Sequence, residues 1–148
     1  MTVLDLPDGY LIRFHRGEEV FSGLVAFARA AGITAAWVNG LGAMSAAELG
    51  YWDAEEQKYL RLPVEEEVEA AAIVGNLARF EGDPIPHLHA TLTRRDFSAI
   101  GGHLFRGVAG ATVEVYVRHY PGVALERARD AAVGLNLWAL PREFRPEA

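Results

Sequence analysis

No cysteine occurs among the 148 residues. That single absence removes disulfides, thiolate metal ligands and cysteine nucleophiles. Any bound metal must therefore draw on imidazole, carboxylate or backbone oxygen. Nowhere do eighteen apolar residues follow one another, so the sequence predicts no membrane contact through a spanning helix. The opening Met1-Thr2-Val3-Leu4-Asp5 has neither the basic patch nor the apolar segment of an export signal, and a cytoplasmic location is the expectation. Also missing is a stripe rich in lysine or arginine, which sequence-independent contact with phosphates requires. The formal net charge is −6, and most of it lies between Asp53 and Glu69, where seven acids face only Lys58 and Arg61. Charge thus speaks against autonomous binding of nucleic acid.

What is present is an ordinary globular composition, 51% apolar and 23% charged, in a length that suits one domain with a substantial core. Tyr10 to Phe14 reads as an opening strand. Glu18-Glu19 then place acids in the first turn of a helix that runs to Ala31, with Val20, Phe21, Leu24, Phe27 and Ala28 on one stripe and Gly32 as its stop. Ile33 to Val38 is β-rich and ends in Asn39-Gly40-Leu41-Gly42, where the glycines permit a tight turn or a close backbone approach. Ala46 to Trp52 and Gln57 to Leu62 predict a hairpin across Asp53 to Glu56. Glu65 to Phe80 is read as a strand despite its helical propensity, followed by a turn at Glu81 to Pro84 and a strand from Ile85 to Thr93. Thr112 to Val117 alternates and is rich in β-branched residues, a further strand. After Pro121-Gly122 the expectation is a short helix over Ala124 to Ala132 and a loosely held tail from Pro141. The sum is an α+β single domain: a mixed, mostly antiparallel sheet with one principal helix packed on it. Asn39 to Gly42 has neither the third glycine of a dinucleotide fingerprint nor the ending of a nucleotide loop, so a Rossmann or phosphate-loop fold is excluded on motif grounds.

Three of the five histidines fall close together, in Pro86-His87-Leu88-His89 and Gly101-Gly102-His103-Leu104. Residues i and i+2 of a strand share a face, so His87 and His89 point the same way, with His103 one connection later. Three neutral imidazoles form a catalytic-type set that leaves zinc a fourth position for water or substrate. His87, His89 and His103 are the metal-ligand candidates, for zinc or another divalent transition metal. Glu81, Asp83 and Glu114 are candidates for orienting a ring from outside. Gly101 and Gly102 are read as a sharp turn or bulge that brings His103 round. Asn39 and Gly40 are pocket candidates near a subunit boundary. His15 and His119 are assigned ordinary structural roles, and Trp37, Trp52 and Trp138 core or interface roles. Arg94-Arg95 fits an ion pair with the acidic segment better than a clamp for an anionic substrate.

Taken in order, Asn39-Gly40-Leu41-Gly42-Ala43, Gly50-Tyr51, Gly75-Asn76, Gly82-Asp83-Pro84, His87-Leu88-His89-Ala90 and Gly101-Gly102-His103-Leu104 give the chain its likeness to a known family. It resembles a prokaryotic, stand-alone plants-and-prokaryotes-conserved (PPC) domain, from about Tyr10 to Leu140, which makes residues 1–148 a single domain of that type. The resemblance implies a homotrimer, with metal binding at His87, His89 and His103 as in some prokaryotic members. It leaves open a small-molecule ligand and catalysis. In plant relatives the domain follows AT-hook arms and serves protein association, which supplies the alternative of a DNA-associated regulatory or interaction module. This chain carries no Arg-Gly-Arg-type hook.

Overall fold

The computed structural model describes residues 1–142. Nine strands and one helix follow in the order β1 (Thr2–Leu6), β2 (Gly9–His15), α1 (Val20–Ala30), β3 (Ala36–Asp53), β4 (Lys58–Val64), β5 (Val68–Phe80), β6 (Asp83–Thr93), β7 (Ala99–His119), β8 (Arg127–Asp130) and β9 (Leu135–Trp138). Seven strands make one sheet in the order β1-β2-β7-β6-β5-β3-β4, and β3 also pairs with β7. The circuit β3–β5–β6–β7 therefore closes on itself. All of these ladders are antiparallel, and among the described residues the one parallel contact is an isolated bridge between Arg79 and Glu126. The sheet is thus a large antiparallel one with a single helix packed on it; a mixed, mostly antiparallel sheet was expected, and among the described residues its ladders are antiparallel throughout.

Alternation sets the two faces. Along β6, Pro86, Leu88, Ala90 and Leu92 are buried while His87, His89 and Thr91 stand on the outer side. Leu104, Val113, Val115 and Val117 of β7 join the same interior. Against it α1 buries Val20, Leu24 and Ala28, the stripe the spacing predicts. A leucine buried to this degree contributes about 2 kcal/mol by leaving water.

Several expectations need correction. Asn39 to Gly42 is no turn: β3 runs straight through it, because Gly40 and Gly42 face both β5 and β7 and a bulge between them absorbs the curvature of the closing sheet. Gly101-Gly102 is equally extended, in unbroken register with Thr91 and Ala90. There the missing side chain serves close approach, since a Cβ on Gly102 would stand 2.6 Å from the Gly50 carbonyl oxygen. The helix predicted over Ala124 to Ala132 is replaced by the β8–β9 hairpin. The Asp130 carboxylate accepts from the backbone N–H groups of Ala132 and Val133 and closes the turn, and pairing with β9 outweighs the helical propensity of so short a segment. Strand β1 has no counterpart in the sequence reading. The tail expectation from Pro141 falls mostly on residues 143–148, outside the described residues.

Glu19 sits one residue before α1 and caps it, where acids inside the first turn were expected. Its carboxylate accepts from Phe21 (2.9 Å), Ser22 (2.6 Å) and, across the fold, Gly107 (3.1 Å). Burial pushes its pKa up, but the donors from Ser22, Gly107 and Phe21 together outweigh burial and hold it below the ordinary value. Glu19→Ala is expected to cost about 1–2 kcal/mol at pH 7 in urea denaturation. A depressed folded pKa gives stability that is present above the unfolded carboxylate pKa and fades as pH falls through the folded one. The difference between wild type and Glu19→Ala should accordingly shrink in acid.

Candidate metal centre

His89 on β6 lies directly opposite His103 on β7, and His87 is one pleat along from His89. The ring centroids form a near-equilateral triangle of 5.3, 5.1 and 5.4 Å. One nitrogen from each ring lies within 4.8 Å of the other two. Ligands about 2.0–2.1 Å from a tetrahedral zinc stand about 3.4 Å apart, a closure within reach of small side-chain rotations.

Two of the three donors are held in the neutral form. Burial, the nearby Arg127 guanidinium and then His89 push the His87 pKa down to about 4. Burial first, then His87 and His89, do the same to His103, also to about 4. Both rings are neutral at pH 7 with lone pairs to give. Among the described residues nothing hydrogen-bonds to the buried His103 Nδ1. An orphaned ring nitrogen beside two further imidazoles fits a cation-accepting centre, and the three histidines are the residues that would hold the ion.

The supporting residues come from elements distant in sequence. Arg127 on β8 donates to the Asn76 side-chain oxygen at 2.9 Å, to the Asn136 backbone carbonyl at 2.8 Å, and lies 3.0 Å from His87 Nδ1. An arginine only donates, so Nδ1 accepts. Asn76 is 6% exposed, and its oxygen also receives the Trp138 indole N–H at 3.4 Å. On the other side Tyr59 and Phe105 stack around His103, with centroids 5.1 and 4.4 Å away. Burial raises the Tyr59 pKa, which keeps its phenol neutral. His87, His103, Arg127, Tyr59 and Phe105 line a cavity of about 270 Å³. A wider groove of about 980 Å³ near Glu66 and Arg94 contains no histidine.

The three ligand candidates come together, and the rest of the expected neighbourhood does not. Asn39 and Gly40 do not border the cavity; Asn39 pairs with Val74, which pairs with His89, placing it two strands and roughly 10 Å away. Among the described residues neither Glu81, Asp83 nor Glu114 bonds to a histidine ring, and Asp83 instead pairs with Arg29 at 2.9 Å. Arg94 pairs with Glu66 at 2.8 Å, the ion pair expected of it. His15 bonds Thr2, and His119 stacks near Tyr10. Arg127, Tyr59 and Phe105 were not singled out from the sequence, and Asn76 figured there only in the Gly75-Asn76 pair of the family likeness, with no role at the site. The one signal for Arg127 is the Asp130…Gly134 turn signature, which marks a hairpin around it.

A family model for the Plants and Prokaryotes Conserved (PCC) domain matches residues 5–121. Among solved structures, a protein of Ralstonia eutropha JMP134 provisionally described as DNA-binding is 33% identical, with 94% of this chain and 96% of that one covered and a TM-score of 0.88. A metal-containing protein of Archaeoglobus fulgidus is 32% identical over 95% of this chain and 100% of that one, with a TM-score of 0.85. A plant- and prokaryote-conserved protein of Pyrococcus horikoshii is 27% identical over 96% of each chain, also with a TM-score of 0.85. No curated protein matches the sequence.

Proposed function

The chain belongs to the Plants and Prokaryotes Conserved domain family, and from that premise we propose a homotrimeric protein that binds a divalent transition metal, zinc foremost, through His87, His89 and His103. The observation that carries this reading is the triangle of ring nitrogens, with His103 Nδ1 buried and unpartnered. The Archaeoglobus relative, described as metal-containing, adds support. Zinc held by three imidazoles supplies Lewis acidity, lowering the pKa of a bound water or polarising a carbonyl. The chain's own residues keep His87 and His103 neutral, orient His87 and cover the His103 side of the centre with Tyr59 and Phe105. A small molecule entering the cavity at the histidines is the ligand this arrangement suits.

Assembly is supported by the outer face of the sheet. Paired residues share a face, so the register joins Leu4, Leu11, Tyr116, Asn39, Val74 and His89 in one row across five ladders. Leu4, Leu11 and Val74 in that row are exposed, as are Trp37 and Leu41 beside it. An apolar surface this continuous is what subunit contacts cover. Nucleic acid suits this chain poorly, because its sequence carries no lysine- or arginine-rich stripe and its net charge is −6.

Protein made without a histidine tag or added metal should contain close to one equivalent of transition metal per chain by elemental analysis. Light scattering should give three times the 16.2 kDa chain mass. Substoichiometric metal that is unchanged on replacing His87 and His103 would remove the metal reading, and a monomeric mass would remove the trimer.

A further inference from the structure

Arg127 brings positive charge to the histidine cavity, and none of the described residues that line it is acidic. Among the described residues Arg127 has no carboxylate partner, and the candidate metal group contains no acid. All of Arg127's acceptors are neutral: the Asn76 amide, the Asn136 carbonyl and the His87 ring. A divalent cation held by three imidazoles would add two further charges within a few ångströms. Cations held partly out of water are costly without a counter-ion, so the site suits a ligand that brings negative charge.

The guanidinium is also poised to change partners. In its neutral form the His87 ring has one free lone pair, and it now accepts from Arg127 at Nδ1. If Nδ1 takes up a metal, that lone pair is spent. If Nε2 does so, the ring proton moves to Nδ1. Either way Arg127 loses its acceptor at His87, and a donor is released toward the cavity. Two further atoms of residues that border the cavity, Arg127 Nε and Asn136 Oδ1, are buried and have no hydrogen-bond partner among the described residues. One is a donor and the other an acceptor. The remaining wall is apolar, with Ile85, Leu135, Leu137 and Phe105 beside Tyr59.

We propose that this cavity binds a small carboxylate anion with an apolar body, held by Arg127, and that metal loading at the histidines switches Arg127 from His87 to that anion. The proposal rests on the metal reading and adds the ligand class and a coupling between the two sites. By linkage the coupling runs both ways: metal tightens the anion, and the anion tightens the metal.

The probe is mandelate, whose carboxylate suits Arg127 and whose ring suits the apolar wall. Calorimetric titration of zinc-loaded wild-type protein should give an affinity at least tenfold above that of the metal-free protein and of zinc-loaded Arg127→Gln. Mandelamide, the uncharged analogue, should bind wild type at least tenfold more weakly than mandelate, a comparison that needs no variant to fold. Zinc content is measured on every sample. Full zinc occupancy with no mandelate binding, with equal affinity for the two compounds, or with equal affinity in Arg127→Gln overturns the anion site and leaves the metal reading intact. Failure to take up zinc sinks the metal reading and the switch with it; Arg127-dependent mandelate binding by that metal-free protein would still support the anion site, and its absence would overturn it.

Discussion

Zinc at about one hundred times its dissociation constant is expected to stabilise the wild-type protein by about 2.7 kcal/mol, a rise in Tm of about 5–10 °C for a chain of this size. His103→Ala should abolish that rise. The expectation follows from position. His103 faces His89 across the β6–β7 ladder, completes the triangle with His87, and offers the buried nitrogen that nothing else satisfies. Two imidazoles on one strand still point the same way without it, but they leave the ion half-coordinated and open to water. His15→Ala is the control, because that ring bonds Thr2 on the far edge of the sheet and should leave the zinc response unchanged. The measurement is a pair of melting curves for each protein with and without zinc. A full shift in His103→Ala would show that the triangle is not the centre.

The histidines were legible because a strand's period of two is a hard geometric rule, and because a His-x-His on any strand puts two rings on one face. Their surroundings were not. Arg127 lies forty residues beyond His87, and the ladder that delivers it forms only when β8 and β9 pair and Arg79 N–H donates to the Leu125 carbonyl. Local propensity over Ala124 to Ala132 pointed to a helix, and tertiary pairing overrode it. The glycines misled for a related reason. In a sequence Asn39-Gly40 and Gly101-Gly102 signal freedom to turn, whereas in this sheet they mark places where strands crowd on both sides and a side chain has no room. Whether a glycine is needed for its dihedral angles or for its missing Cβ depends on what packs against it, which no window of sequence contains. The acidic candidates failed by distance: Asp83 is four residues from His87 along an extended strand, roughly 13 Å, and it is engaged by Arg29.

Gly75→Ala is expected to damage both the fold and the metal centre, at a cost of about 3 kcal/mol in urea denaturation, the upper range for forcing an extra methyl into packed structure. Gly75 of β5 pairs with Leu88 of β6 and Val38 of β3. A Cβ there would stand 2.9 Å from the Leu88 Cα, and the His87 carbonyl oxygen is nearer still. Both are backbone, so no side chain can swing aside; the β5–β6 ladder itself has to open. β6 carries His87 and His89, and displacing it moves two of the three rings relative to His103 on β7. The zinc-induced rise in Tm should therefore shrink along with the stability. Gly32→Ala separates this steric effect from conformational strain. Gly32 ends α1 with φ at 67°, and a Cβ there meets nothing within 4 Å, so the substitution should cost only about 1 kcal/mol from the left-handed backbone and leave the zinc response alone. If Gly75→Ala proves no more costly than Gly32→Ala, or keeps the full zinc response, then the contact between β5 and β6 does not hold the histidines in register.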